Sequence, residues 1–219
     1  MSKFDFGVFI GRFQPLHTGH EHVIARTLYQ VERLIVLVGS ANVARDPRNP
    51  FTYAEREAML RSAFRHEVAQ GRLIIAPIDD HLYSDTAWVT QVQRKVRALV
   101  LEHGNGLGFQ NHGLSDFRVA LAGYGKDASS YYLKLFPEWE SLQVESQYGT
   151  FSSTDVRKRY FQRIPEVPAS ILSAGVADFL REFMLGETFK ALLEEAEFLA
   201  AYPAQWGKGP FVTADAVVV

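Results

Sequence analysis

Polar side chains that could bind phosphate are concentrated near the start of the chain, in GRFQPLHTGHEHVI at residues 11–24. Arg12 carries a permanent, planar charge that suits phosphate. His17 and His20 are three positions apart at the start of a helical pattern, so both side chains can face one site. Since the N-terminus of a helix also attracts anions, this stretch predicts a phosphate site.

Two glycines and a threonine in the same stretch support a helix start beside a ligand. Gly11 allows the backbone to approach a ligand closely, and Gly19 leaves room for a bulky anion. Thr18 with Glu21 has the spacing of a capping box, which starts a helix. A single histidine in a glycine turn is more often an incidental surface residue, but the combination HxGH after GRFQP favours the phosphate site. We expect His22 to lie on the helix surface.

A second candidate phosphate site is SSTDVR at residues 152–157, which also opens a helical pattern after an apolar run. Its hydroxyls and the backbone N–H groups of a helix start suit phosphate oxygens, and Arg157 falls within the first turn. The alternative is that Arg157 is one more charge on a solvated helix face, as we expect for Lys158 and Arg159. Together, the two stretches are what triphosphate binding requires.

Strand and helix patterns alternate along the chain and would bring both stretches to one edge of a sheet. Such alternation implies a parallel sheet with right-handed crossovers, and ligands of such sheets bind at the carboxyl ends of the strands. The predicted fold is therefore α/β, a Rossmann-like five-stranded parallel sheet with helices on both faces and a C-terminal helical extension. The strands are predicted at residues 6–11, 33–40, 72–78, 117–124 and 141–148. A short helix is predicted within GKDASSYYLKLF, residues 125–136.

Composition limits the classes of function. The chain has 219 residues, enough for one sizeable core, and its net charge of −2 gives no bulk attraction to nucleic acid or to an anionic membrane. The absence of cysteine excludes disulfides, thiolate metal sites and a cysteine nucleophile. No apolar run approaches the ~20 residues of a membrane span, and the N-terminus is too short and too polar for a signal peptide. These features predict a cytoplasmic protein.

Both stretches resemble signatures of the nucleotidyltransferase superfamily. Arg12, His17, Gly19 and His20 match its GRFQPxHxGH pattern, and residues 152–157 match its [ST]-[SGT]-T-x-x-R pattern. Most of residues 5–165 resembles the nicotinamide mononucleotide (NMN) adenylyltransferases, in particular their archaeal-type branch. The resemblance implies transfer of AMP from ATP to NMN, which gives NAD and pyrophosphate.

The resemblance also implies roles for particular residues. The segment GSANVARDPRNPFTYAER is similar to a region of that family in which an arginine binds ATP phosphate, which points to Arg48. The segment IDDHLYSDTAWV is similar to its nicotinamide pocket, where a tryptophan stacks on the ring, which points to Trp88 with Asp80 as a polar contact. Without the resemblance, Trp88 is read as core packing and Asp80 as a helix cap or turn residue.

The complete set of expected site residues falls into three groups. The residues expected to stabilise charge during transfer are His17, His20, Arg12, Arg48 and Arg157. The residues expected to bind ATP are Gly11, Phe13, Gly19, Gly123, Tyr124, Lys126, Asp127, Ser152, Ser153 and Thr154. The residues expected to bind NMN are Phe13, Ser40, Asp80 and Trp88.

The implied reaction needs neither a protein nucleophile nor a protein-bound metal. We expect Mg²⁺ to accompany ATP and to be held largely by ATP and water, because no carboxylate cluster has convincing spacing. His66, His81, His103 and His112 lack the spacing of a zinc site. Two alternatives stay open: another acceptor, such as nicotinate mononucleotide or FMN, and a nucleotide-sensing module without turnover. Homo-oligomerisation is also left open.

Three regions are predicted along the chain. Residues 1–165 form the nucleotidyltransferase domain, and residues 166–203 form the C-terminal helical extension. Residues 204–219 are interpreted as a linker and the first strand of a Nudix-like domain, because residues 123–139 resemble bacterial proteins in which this transferase is fused to a Nudix hydrolase. No Nudix signature occurs in the chain, so a hydrolase would belong to a longer parent protein.

Overall fold

A parallel β-sheet forms the centre of the protein. The computed structural model describes residues 2–81, 83–104, 117–123, 134–144, 152–161 and 170–206, with residues 203–206 as backbone only. Within these residues the sheet has five strands in the order β3-β2-β1-β4-β5, and all four pairings are parallel. This confirms the predicted fold class. The strands are β1 (Phe4–Gly11), β2 (Val31–Val38), β3 (Leu73–Pro77), β4 (Val119–Gly123) and β5 (Glu140–Gln143).

Helices follow the strands as the sequence predicts, with one addition. The helix that opens with the capping box of Thr52 and Glu55 ends at Ala63, and a separate five-residue helix follows it. The short helix predicted within residues 125–136 lies largely outside the described residues. The helices are α1 (Thr18–Leu28), α2 (Tyr53–Ala63), α3 (Arg65–Ala69), α4 (Asp85–Gly104), α5 (Ser153–Phe161), α6 (Ala174–Leu185) and α7 (Glu187–Trp206).

Both faces of the sheet are buried over most of β1 to β4, which explains why these strands are largely apolar. In the edge strand β5 only Leu142 is buried. Alternate side chains of β1 and β2 enter two different cores, since successive residues of a strand point to opposite faces. Val36 and Val38 pack with α1, α2 and α6. Ile35 and Leu37 pack with Val92 and the rest of the apolar stripe of α4. The sheet is thereby fixed on both sides, and its carboxyl edge can hold loops in defined positions.

The C-terminal helices pack directly on the sheet domain. Val176 and Leu180 of α6 belong to the same core as Met59 and Leu60 of α2. Helix α7 stacks Phe189 on α5 and continues to residue 206, three residues past the predicted end of the extension. Residues 207–219, and with them the predicted Nudix-like strand, lie outside the described residues. None of the described helices combines the length and apolar character that crossing a bilayer demands.

Candidate active site

Helix α1 begins at the HxGH motif, but its cap differs from the prediction. The N-cap is His17, in an extended conformation, and its Nδ1 accepts a hydrogen bond from the N–H of Gly19 at 3.1 Å. Thr18 is the first helical residue, so the predicted capping box of Thr18 and Glu21 is wrong. Thr18 donates its N–H to the carbonyl of Ile171 at 2.8 Å instead. Helix α1 therefore has a local cap one residue earlier than predicted, and Thr18 contacts the segment before α6 instead of acting as the cap.

The two histidines of the motif lie together, as the sequence predicts. The rings of His17 and His20 are stacked, with centroids 3.8 Å apart and planes 28° apart. His17 is only 6% exposed, and the ring of His20 also packs edge-on against Phe13 at 4.8 Å. Each imidazole is thus held by packing, so the pair forms a fixed group at the carboxyl edge of β1.

The glycines of the motif make room for neighbouring side chains. A Cβ on Gly19 would lie 2.9 Å from Cε1 of His17, so the space that we expected an anion to use holds the His17 ring. A Cβ on Gly11 would lie 2.9 Å from the ring of Phe13. That ring is 1% exposed, so any ligand contact of Phe13 must use its backbone.

Two backbone N–H groups at this edge are suitable donors for an anion. Phe13 and Ser40 follow the ends of β1 and β2, and both have positive φ, 52° and 53°. Neither N–H has a hydrogen-bond partner in the part of the chain that the structure describes. Because β1 and β2 are adjacent, the predicted ATP- and NMN-binding positions Phe13 and Ser40 lie on neighbouring loops.

Helix α5 begins at the second motif with a capping box that the sequence analysis missed. The carboxylate of Asp155 accepts hydrogen bonds from the N–H and the hydroxyl of Ser152, at 2.9 and 2.6 Å. The hydroxyl of Ser153 donates to the carbonyl of Pro15 at 3.2 Å, and that of Thr154 accepts from Arg157 at 3.1 Å. All three predicted ATP-binding hydroxyls therefore have partners within the protein. The N–H groups of Ser153 and Thr154 have none among the described residues.

Arg157 joins the two motifs. Its Nη1 donates to the carbonyl of Gln14 at 2.6 Å, and the side chain is only 8% exposed. Burial, with a smaller contribution from the nearby charge of Arg12, lowers the pKa of Arg157 to about 10. The guanidinium is still protonated at neutral pH. The alternative that Arg157 is one more charge on a solvated face is excluded by this burial, and the two motifs are in direct contact.

Two further predicted arginines are associated with the loop between β2 and α2. The carboxylate of Asp46 accepts the N–H groups of Arg48 and Asn49 at 2.7 and 2.6 Å, and Asn49 lies 3.5 Å from Nη1 of Arg12. The side chain of Arg48 is exposed and makes no hydrogen bond to the described residues. Arg12 lowers the pKa of Arg157 through its charge, so positive charge accumulates around the HxGH motif.

Sequence reasoning missed two buried polar residues beneath this edge. The side-chain amide of Gln14 exchanges two hydrogen bonds with the backbone of Phe51, at 2.8 and 2.9 Å. Arg56 donates to four carbonyl groups. A signal for Arg56 was available, since it lies three and four positions before the buried Met59 and Leu60 and so shares their helix face.

Two of the residues expected to bind NMN, Ser40 and Asp80, lie just after β2 and β3. The hydroxyl of Ser40 donates to the carboxylate of Asp80 at 2.7 Å. Asn42, which the sequence analysis missed, hydrogen bonds to both backbone groups of Asp80, at 2.9 and 3.3 Å. Trp88 is partly buried and packs on Phe136 with centroids 5.9 Å apart. Its packing thus matches the core alternative, and its stacking on a ligand stays a prediction.

The remaining expected residues divide between the sheet edge and regions that are not described. Gly123 is the last residue of β4, at the same carboxyl edge. Tyr124, Lys126 and Asp127 lie outside the described residues. Across the part of the chain that is described, no three His, Asp or Glu side chains are grouped so that they could hold a metal ion.

Residues 8–159, which carry both motifs, match the cytidylyltransferase-like family. The chain belongs to this family. A nicotinamide/nicotinic acid mononucleotide adenylyltransferase of Acinetobacter baylyi is 37% identical over 89% of this chain and 95% of that protein. A nicotinamide-nucleotide adenylyltransferase of Thermococcus onnurineus is 29% identical over 87% of this chain and 90% of that protein. The resemblance to the NMN adenylyltransferases is confirmed.

A solved structure confirms the fold of this cytidylyltransferase-like chain. A bifunctional NMN adenylyltransferase/ADP ribose pyrophosphatase of Francisella tularensis, complexed with AMP and a manganese ion, superposes with a TM-score of 0.77 at 26% identity. The match covers 95% of this chain but only 57% of that protein. The chain thus spans little more than half the length of that two-activity relative.

Proposed function

We propose that the protein transfers AMP from ATP to NMN and releases NAD and pyrophosphate, a step of NAD biosynthesis. The observation that carries this proposal is the junction of the two motifs. Arg157 of the second motif donates to the carbonyl of Gln14 in the first at 2.6 Å. A single site therefore combines a stacked histidine pair, the start of α5 and the charge of Arg12.

The chemistry needs positioned charge rather than a protein base. The 5′-phosphate of NMN attacks the α-phosphorus of ATP, the bond from that phosphorus to the bridging oxygen breaks, and pyrophosphate leaves in line. A phosphate monoester has a second pKa of about 6, so the nucleophile is already ionised at neutral pH. Rate enhancement then comes from holding the two substrates in line and from stabilising the charge that develops.

The residues around the motifs divide these tasks. His17, His20, Arg12, Arg48 and Arg157 stabilise the transferring phosphoryl group and the departing pyrophosphate. The N–H groups at the start of α5 hold phosphate oxygens of ATP, with Ser152, Ser153 and Thr154 fixing that helix start. On the acceptor side, Ser40 and Asp80 contact NMN and Trp88 stacks on the pyridine ring. ATP enters as its Mg²⁺ complex, with the ion held by phosphates and water.

An assay of pyrophosphate release tests this function. Purified protein with ATP, Mg²⁺ and NMN should release pyrophosphate and form NAD in equal amounts, and ATP without an acceptor should release none. Failure to form NAD from NMN would overturn the proposal. Saturable binding of ATP without any product would instead support a nucleotide-sensing module.

The same assay compares acceptors. Nicotinate mononucleotide is the first alternative to test, because the name of the Acinetobacter relative includes both mononucleotides. FMN is the second. We expect kcat/KM for NMN to exceed that for FMN by a large factor, since Trp88 and the Ser40–Asp80 pair suit a small pyridine ring. Replacement of Mg²⁺ by Mn²⁺ in the same assay tests the metal, and the elution volume of the active protein tests homo-oligomerisation.

A further inference from the structure

One buried side chain under the active-site edge has no role in the proposed chemistry. Arg56 lies on the inner face of α2 and is 1% exposed, the largest of the fully buried side chains among the described residues. No described carboxylate forms an ion pair with it. Burial, the main cause, lowers its pKa to about 10, so it is still charged at neutral pH. The nearby charge of Asp80 offsets part of this effect without contacting the guanidinium. A charge that is buried without a contacting carboxylate is costly, and its hydrogen-bond partners are therefore informative.

Four carbonyl oxygens from three segments surround this guanidinium. Its Nη1 donates to the carbonyls of Arg12 and Gly39, at 2.8 and 2.6 Å. Its Nη2 donates to Ser40 at 3.1 Å, and its Nε donates to Thr52 at 3.2 Å. One side chain thus joins the loop after β1, the loop after β2 and the start of α2.

These bonds fix the direction of two particular peptide groups. In a trans peptide the C=O and the following N–H point in opposite directions. Because Nη1 of Arg56 binds the carbonyls of Arg12 and Gly39, the N–H groups of Phe13 and Ser40 point away from Arg56. Both residues have positive φ, and neither N–H group has a partner among the described residues.

We propose that Arg56 is a positioning residue, which aims the N–H groups of Phe13 and Ser40 at phosphate oxygens during AMP transfer. It touches neither substrate, and it acts through the two peptide groups that its Nη1 holds. The proposal rests on the proposed function, since it assigns these two N–H groups to the phosphate groups of that reaction. It also explains why two non-glycine residues on adjacent loops both adopt a left-handed conformation, which is costly without such support.

Lysine should not replace arginine at this position. Arginine presents five N–H donors in a planar fork, whereas lysine offers a single ammonium group that cannot bind all four carbonyls in this geometry. The chain offers a matched control in Arg72. Its guanidinium also donates to three backbone carbonyls, those of Leu28, Val31 and Glu32, but at the opposite end of β2.

The test compares Arg56→Lys with Arg72→Lys in the full chain. Loss of one oxyanion-type donor costs about 10²–10³ in kcat, so we expect Arg56→Lys to lower kcat by about 10²-fold while KM for NMN changes less than about threefold. Arg72→Lys should lower the melting temperature comparably but leave kcat within about twofold. A folded Arg56→Lys protein with wild-type kcat would overturn the proposal, and so would an equal loss of kcat in Arg72→Lys.

A second measurement on the wild-type protein applies even if Arg56→Lys does not fold. NAD, which carries one phosphate from each substrate, should shift the backbone amide resonances of Phe13 and Ser40 and slow their hydrogen exchange. Both amides staying unchanged at saturating NAD, while other amides of the site respond, would overturn the proposal. If the wild-type protein binds NAD but makes none from ATP and NMN, the proposed function fails. If it makes NAD and these amides do not respond, only the role of Arg56 fails.

Discussion

The two helix starts at the proposed site differ in which of their groups have hydrogen-bond partners within the chain. At α1, the N–H groups of Thr18, Gly19 and Glu21 all have acceptors within the chain, and the imidazoles of His17 and His20 are stacked on each other. At α5, the hydroxyls of Ser152 and its two neighbours have internal partners, and backbone N–H groups are left without partners among the described residues. We therefore expect α1 to contribute side-chain donors to the proposed site and α5 to contribute main-chain donors.

The difference has a physical origin in what caps each helix. At α1 the cap is an imidazole, which accepts one N–H and stacks on the next histidine. At α5 the cap is a serine locked by Asp155, which holds the chain and leaves the next two N–H groups free of local acceptors. The substitutions below separate the two contributions.

The largest effect is expected at the imidazole side, with His20→Ala. Because its contact strengthens as charge develops in the transition state, kcat should fall by about 10²–10³-fold with a much smaller change in KM for NMN. His22→Ala, on the same helix, is the matched control and should keep kcat within about twofold. Steady-state kinetics of both variants test this expectation. An unchanged kcat in His20→Ala would contradict the proposal that His20 stabilises charge in the transition state.

Arg157→Lys tests the junction between the two helix starts. Lysine keeps the charge but cannot donate at once to Gln14 and Thr154 in the geometry of a guanidinium. We expect kcat/KM for ATP to fall by about 10–10²-fold and the melting temperature to drop, since a buried bond to a charged group contributes about 1.5–3 kcal/mol. Lys158→Arg changes the exposed neighbour and should alter neither quantity. Wild-type kinetics in Arg157→Lys would show that the junction is not needed for catalysis.

Ser153→Pro tests the main-chain donors of α5. Proline is well tolerated at the first position of a helix, but it removes the N–H. We expect Ser153→Pro to lower kcat/KM for ATP by about tenfold. Ser153→Ala keeps the N–H and loses only the hydroxyl contact with Pro15, which should cost about 1 kcal/mol of stability and little activity. Equal values of kcat/KM for ATP in the two variants would show that the N–H of Ser153 does not contribute to ATP binding.

Thr18→Pro is the same substitution at the first position of α1 and should have the smallest kinetic effect. His17 is already extended, as the residue before a proline prefers, and the lost N–H donates to Ile171 rather than to a ligand. We expect a loss of stability of about 1 kcal/mol, seen as a lower melting temperature, with kcat/KM within about threefold. A tenfold loss in kcat/KM would indicate that both helix starts donate from the main chain.

The sequence was sufficient to predict the sheet and the pairing of the two motifs. Strands β1 to β4 are largely apolar because both of their faces are buried, and β5 is a mostly exposed edge strand in which Leu142 is buried. All five were found, and their ends moved by a few residues. His17, His20 and Arg157 were found because their spacing fits a helix start after a strand. These patterns involve residues that are close together in the chain, so they can be recognised in a single sequence.

Contacts between distant segments account for what the sequence did not predict. Thr18 matches the capping-box pattern, yet its N–H binds Ile171, more than 150 positions away, and His17 becomes the cap. Gly19 was expected to make room for a ligand, whereas it makes room for His17. The role of Arg56 depends on carbonyls of three segments that come together only in the folded protein. The capping box of Ser152 and Asp155, by contrast, was readable from its spacing and was overlooked.

The packing of α6 sets the smallest piece of this chain that can be expected to fold. A version cut at residue 165 would keep both motifs and every predicted site residue. It would lose Leu172, Val176 and Leu180 from the core that holds α2. Full burial of each such side chain is worth about 1.5–3 kcal/mol, which together approaches the 5–15 kcal/mol that typically separates a folded domain from its unfolded chain. A minimal catalytic fragment should therefore extend through α6.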